Sequence, residues 1–264
     1  MAEQSEKDTI FAKVELKRTS DVVADRITGL ILEGVLRNGD RLPAERDLAV
    51  QLSVSRPVVR DAIKSLEEKK LLTTRHGGGT FVSDVIGSMF ADSIKSVIQG
   101  DGRTRRDFLD FRRELEGMAA EFAATRATDD DKAILESVFT KMESAAEADD
   151  FEAGVRYDID FHMTIADCSH NIFLIHTLRS CYEMLSDDVI LNRRRIYAVS
   201  SEENTLLEQH RNIFQAIIMG NPRAAREASV AHLDFVAKTA MDVERKEDWQ
   251  ENARLRRTQR NVTS

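Results

Sequence analysis

The sequence predicts a mostly α protein in two parts: an N-terminal helix–turn–helix closed by a small glycine-tipped hairpin, then an all-α helical bundle. Three observations predict it. Residues 42–82 place a short helix, a tight turn, a basic second helix and two short strands in that order. Beyond about Arg105 helix formers dominate and Pro222 is the only proline. The charge also divides. Residues 41–82 hold eight Lys or Arg against five Asp or Glu, a balance of +3, whereas the whole chain carries −8.

The elements follow in order. Residues 1–20 are polar and mixed in charge, a loose arm. Val22–Leu36 is an amphipathic helix with Val23, Ile27, Leu30 and Ile31 on one face, ended by Asn38-Gly39. Glu45–Leu52 is a short helix with Leu48, Ala49 and Leu52 on one side, and Ser53-Val54 is a tight connection. Ser55 caps the next helix, with Pro57 in the first turn, where a missing N–H costs nothing. That helix carries Val59, Ala62, Ile63 and Leu66 at steps of three and four; its other face shows Arg56, Arg60 and Lys64. Leu71–Arg75 and Thr80–Val82 read as strands joined by His76-Gly77-Gly78-Gly79, a tip able to approach a phosphate backbone closely. Residues 21–82 therefore read as a winged helix-turn-helix, a module that lies on DNA.

Residues 83–104 read as a linker with room for one helix, and 105–244 as a helical domain. Its expected helices are 107–125, 129–148, 151–167, 171–198, 203–219 and 222–244. Thr128 followed by Asp129, Asp130 and Asp131 puts acids in a first turn, where the helix dipole favours them. Asn221-Pro222 is a cap with proline at the first helical position. Residues 245–264 hold six basic and three acidic residues and read as a frayed tail. There is no run of eighteen apolar residues, and Met1–Lys7 has no apolar stretch resembling a signal peptide. Cys168 and Cys181 form no C-x-x-C pair, and Cys168 reads as packing. These features point to a reducing cytoplasm and no membrane partner.

Four residues have the spacing of a metal site. Asp158 and His162 lie four apart on one helix face. His210 and His232 are each eleven residues from Asn221. In an antiparallel helix pair that sets both about 15 Å from the turn, so the imidazoles can converge. Three histidines and a carboxylate suit Zn²⁺ or a similar divalent ion. Ordinary buried histidines and an ordinary Asp–His contact are the alternative, with Asp160 a competing carboxylate that faces away from Asp158.

The motifs resemble one family. Leu42-Pro43-Ala44-Glu45-Arg46, Val54-Ser55-Arg56-Pro57, Arg60-Asp61-Ala62 and Gly77-Gly78-Gly79-Thr80-Phe81-Val82 are similar to the signature of GntR-type transcriptional regulators of the FadR subfamily. Asp158-x-x-Phe161-His162, Ser169-His170-Asn171, Glu208-Gln209-His210 and Ala231-His232-Leu233 resemble its FCD effector domain. The resemblance covers nearly all of residues 20–244. It implies a homodimer on an inverted-repeat, double-stranded DNA operator, with a small carboxylate as effector. It implies that Arg46, Ser55, Arg56, Arg60 and Lys64 meet DNA, with His76 and Gly77 at the wing tip. It implies Asp158, His162, His210 and His232 as metal ligands, with Arg112 and Asn171 at the effector. For Arg112 a surface ion pair with Glu116 is the other reading. The N-terminal half is most similar to the pyruvate-responsive group, that of the pyruvate-dehydrogenase-complex repressor. Asp158, His162 and Arg193-Arg194-Arg195-Ile196-Tyr197 are more similar to the lactate- and glycolate-responsive groups.

The expected function is a regulator, more often a repressor, of central carboxylate metabolism, and not an enzyme. Arg56 and Arg60 suit bidentate contact to guanine, Lys64 and the glycine tip phosphate. Rival readings are a direct metal sensor, a metal-dependent hydrolase carrying a DNA module, and an architectural DNA binder.

Overall fold

A computed structural model of the chain describes residues 17–75, 77–84, 102–183 and 203–262. The chain divides into two compact units after Ser83.

The first unit runs α1 (Thr19–Leu32), α2 (Glu45–Gln51), α3 (Arg56–Glu68), β1 (Leu72–Arg75) and β2 (Gly79–Val82). Its core is Val23, Ala24, Ile27 and Ile31 of α1, Leu48 and Ala49 of α2, and Val59, Ala62, Ile63 and Leu66 of α3, closed by Leu72 and Val82. The α1 face therefore uses Ala24, with Leu30 only half-buried. The helix also ends earlier than Asn38-Gly39 predicts. Gly34 takes φ 72° and donates to the Ile31 carbonyl, a left-handed stop that comes first. Ser55 occupies the N-cap of α3 with extended backbone, but its side chain makes no capping hydrogen bond, contrary to expectation. The two strands pair antiparallel, Leu72 with Val82 through to Arg75 with Gly79. Residues 39–42 run along the other side of β2, where Leu42 N–H donates to Thr80 O and Val82 N–H to Asp40 O.

The second unit is helical among the described residues: α4 (Gly102–Arg126), α5 (Asp129–Glu147), α6 (Phe151–Cys168), α7 (172–183), α8 (Glu203–Ile218) and α9 (Pro222–Val262). Helix α9 packs on α4 and α8, and α5 on α6. Phe161, Leu135, Leu178, Ile213 and Ile217 are fully buried at the centre, and Phe139 stacks on Phe214 with centroids 4.8 Å apart. Thr128 and Asp131 form a reciprocal capping box at α5. Asn221 Oδ1 accepts from Ala224 N–H at 3.1 Å and Gly220 takes φ 66°, closing the α8–α9 hairpin. Two ends differ from expectation. Helix α4 starts at Gly102, inside the expected linker. Helix α9 continues to Val262, where a loose tail was expected, because residues 223–262 contain neither proline nor glycine to stop it. The expected helix over 171–198 is described only to residue 183, and most of the linker lies outside the described residues.

Candidate metal centre and nucleic-acid interface

The α6 spacing and the α8–α9 hairpin bring the four predicted ligands together. One ligand atom from each of Asp158, His162, His210 and His232 lies within 4.8 Å of all the others, and all four residues are buried. His210 Nε2 is 2.9 Å from Asp158 Oδ1 and 3.3 Å from His162 Nε2. The His210 and His232 ring centroids are 4.3 Å apart. Zn–N bonds of about 2.0–2.1 Å in a tetrahedral arrangement separate ligand atoms by about 3.3 Å. The residues fit a small divalent cation in donor chemistry and in spacing.

Groups around the ligands complete the arrangement. His162 Nδ1 lies 2.7 Å from Glu116 Oε2, a carboxylate contact that favours the proton on this nitrogen and leaves Nε2 facing the cluster. His232 Nδ1 donates to Gln209 Oε1 at 3.0 Å, with the same consequence. Glu116 in turn is bound by Arg112 Nε, and the Tyr182 hydroxyl donates to its Oε1 at 3.0 Å. The Arg112 guanidinium also lies over the Tyr182 ring, 4.5 Å from the centroid. Burial alone would push the Glu116 carboxyl up, but Arg112 and His162 outweigh it and hold it at about 2. Burial opposes the Arg112 charge too, yet Glu116 keeps the guanidinium above its ordinary value. Burial pushes the Tyr182 hydroxyl well up. A neutral phenol, a carboxylate and a guanidinium thus border the cluster.

Arg112 does pair with Glu116, and the pair is buried and not on the surface. Asn171 is the N-cap of α7, its Oδ1 accepting from Phe173 and Leu174 N–H. Glu116, Gln209 and Tyr182 were not expected as parts of the centre. The motif containing Gln209 was visible, but nothing in it told which nitrogen of His232 it would meet. Cys168 is buried and unpaired, and burial pushes its thiol up to about 12, as suits packing.

In the first unit Arg56, Arg60 and Lys64 are exposed at four-residue steps on α3. Arg60 is held by Glu45, its Nη2 donating to Oε2 at 2.7 Å, and that hydrogen bond lowers the Glu45 carboxyl. Arg46 pairs with Asp47 at 3.1 Å. Gly77 takes φ 73° and Gly79 φ 106°, values that glycine adopts without strain. A Cβ at Gly79 would stand 2.8 Å from Arg41 Nε, so this glycine also makes room for a further basic side chain at the wing. His76 lies outside the described residues.

Residues 19–82 match the model of bacterial regulatory proteins of the gntR family, and residues 107–235 match the FCD domain. The chain is 37% identical over 245 residues to a regulator of the L-lactate dehydrogenase operon of Escherichia coli (strain K12), covering 91% of this chain and 93% of that protein. It is 29% identical to the Glc operon transcriptional activator of the same organism, covering 88% and 92%. It is 29% identical to the transcriptional regulator LutR of Bacillus subtilis (strain 168), covering 78% and 94%. Among the described residues no helix is long and apolar enough to cross a membrane. The motifs, the fold of each unit and these matches make the chain a member of the gntR family with an FCD domain, a DNA-binding transcriptional regulator and not an enzyme.

Proposed function

We propose that this regulator is a cytoplasmic homodimer whose grip on an inverted-repeat operator is set by a small carboxylate bound at a divalent metal, zinc first, in the helical unit. The observation that carries it is the convergence of Asp158, His162, His210 and His232 in a buried cluster. The name of one relative, a regulator of the L-lactate dehydrogenase operon, supports L-lactate as the first effector to test, with glycolate and pyruvate, small carboxylates of the same kind, next. Repression of genes for using that acid is the regulatory outcome we assign.

A bound cation would supply positive charge and coordination positions for a carboxylate and its neighbouring oxygen. The chain's own residues do the rest. Asp158 balances charge, while Glu116 and Gln209 fix the tautomers of His162 and His232. Arg112 is the positive side chain beside the centre, shared with Glu116. Residues 21–82 hold DNA: Arg46, Arg56 and Arg60 are the reading arginines, while Ser55, Lys64 and the wing tip of His76 and Gly77 meet the backbone. The effector changes operator affinity only by favouring one arrangement of the dimer over another.

The test is operator binding by fluorescence anisotropy, using a duplex that the protein itself selects from a random pool. L-lactate, glycolate and pyruvate are titrated with and without a chelator. Release by one acid that chelation blocks is the expected result. DNA affinity that follows metal alone, with no acid acting, would replace this reading with a metal sensor. His210→Ala is expected to lose bound metal; a full equivalent of zinc in that variant refutes the ligand set.

A further inference from the structure

Helix α9 continues well beyond the FCD match, which ends at residue 235. All described residues from Arg245 to Gln259 are exposed. The helical repeat of about 100° per residue puts Arg245, Trp249 and Arg256 on one line, with Lys246 and Arg257 on the next. Arg254 and Leu255 fall on the opposite side. Trp249 is 61% exposed, and the Arg245 guanidinium lies 5.4 Å from its ring centroid while also pairing with Asp242 at 2.7 Å.

We propose that this end of α9 is a second DNA-contacting surface, in which Arg245, Lys246, Arg256 and Arg257 hold the phosphate backbone of duplex DNA with Trp249 between them. The inference rests on the chain being a DNA binder, and its partner is argued from charge. Residues 245–264 balance at +3 on a chain of −8, so the basic face stands out from an acidic body. The cation pairs 245/246 and 256/257 are about 16 Å apart along the axis, enough to reach both walls of a major groove about 12 Å wide. A membrane-lying helix needs a broad apolar face, and a coiled coil needs an apolar repeat. The side away from these cations carries Arg254 beside Leu255, and the segment shows neither a broad apolar face nor an apolar repeat in its sequence.

The chain has a single tryptophan, so Trp249 is its own reporter. A duplex of about 40 base pairs and arbitrary sequence is titrated into the full-length protein at about 0.1 M salt. Binding is expected to shift Trp249 emission. The Lys246→Gln/Arg256→Gln/Arg257→Gln variant is expected to lose that shift. Its slope of log affinity against log salt should flatten by about 2.7 per chain, roughly 0.9 for each phosphate contact removed. The Arg56→Ala/Arg60→Ala variant is expected to keep the emission shift when non-specific binding saturates. Emission that does not move at saturation, as judged by anisotropy, overturns the proposal. So does an unchanged salt slope in the triple variant, or an emission shift with phosphatidylglycerol vesicles and none with DNA. If the wild type binds no duplex at all, the DNA reading itself has failed; if it binds through Arg56 and Arg60 alone, only the α9 surface falls.

Discussion

Single side chains around the cluster do separable jobs. Glu116 touches the centre through His162 Nδ1, so Glu116→Gln should weaken zinc affinity about 10–100-fold. Competition with a chromogenic chelator reads this, and unchanged far-UV circular dichroism separates it from unfolding; wild-type affinity would remove Glu116 from the centre. Its role was not legible. The four-residue step from Arg112 announced an ion pair, but whether Glu116 also met a histidine of another helix depended on how α4 lies against α6. In the DNA unit, Arg60 must leave Glu45 to reach a base. The pair lies at the surface, where solvent screening leaves such pairs weak. Glu45→Gln should therefore tighten operator binding only by a few fold, whereas Arg60→Ala should abolish specific binding with the fold intact. Weaker binding by Glu45→Gln would mean that Glu45 positions Arg60 and does not restrain it.

At the scale of elements, helix ends and helix contacts decide stability. Losing the Thr128 cap of α5 should cost about 1 kcal/mol, seen as a lower denaturation midpoint for Thr128→Ala. Burial works to raise the Asp131 carboxyl, but Thr128 and His170 outweigh it and hold it below its ordinary value. A lowered native value stabilises the fold at pH above the unfolded value, about 3.9, and that contribution is lost as pH falls through the native value. The gap in midpoint between wild type and Asp131→Asn should thus narrow as pH drops below about 4; a constant gap would exclude the charge as its source. Gly117 marks the close approach of α4 and α9, where an added Cβ would stand 2.9 Å from Val230 Cγ2. Gly117→Val should push apart the helices carrying Glu116 and His232, costing about 1–3 kcal/mol and weakening metal binding together. The Asn221 cap and the acidic first turn after Thr128 were readable because such signals are local. The early stop at Gly34 and the long run of α9 follow from backbone preference, which outweighs the Asn38-Gly39 turn signal and the polar composition of residues 245–262.

At the scale of the molecule, the two units should respond separately to metal. A cation bound only by the folded helical unit stabilises it by mass action, about 2.7 kcal/mol at a hundredfold excess over the dissociation constant. Chelation should lower the calorimetric transition of that unit and leave the transition of the DNA unit in place. Both moving together would show that the units unfold as one.

The sequence by itself determined the winged helix-turn-helix and the helical second unit, and its spacing announced the four residues that converge. Their signals are local: helical steps of three and four, caps, a glycine tip, and two histidines equidistant from one turn. Only the tertiary structure decided that Glu116 and Gln209 meet the Nδ1 atoms of His162 and His232, and that Tyr182 and Arg112 border the centre. These contacts join residues far apart in the chain, and their partners are chosen by how helices pack, which no short spacing records.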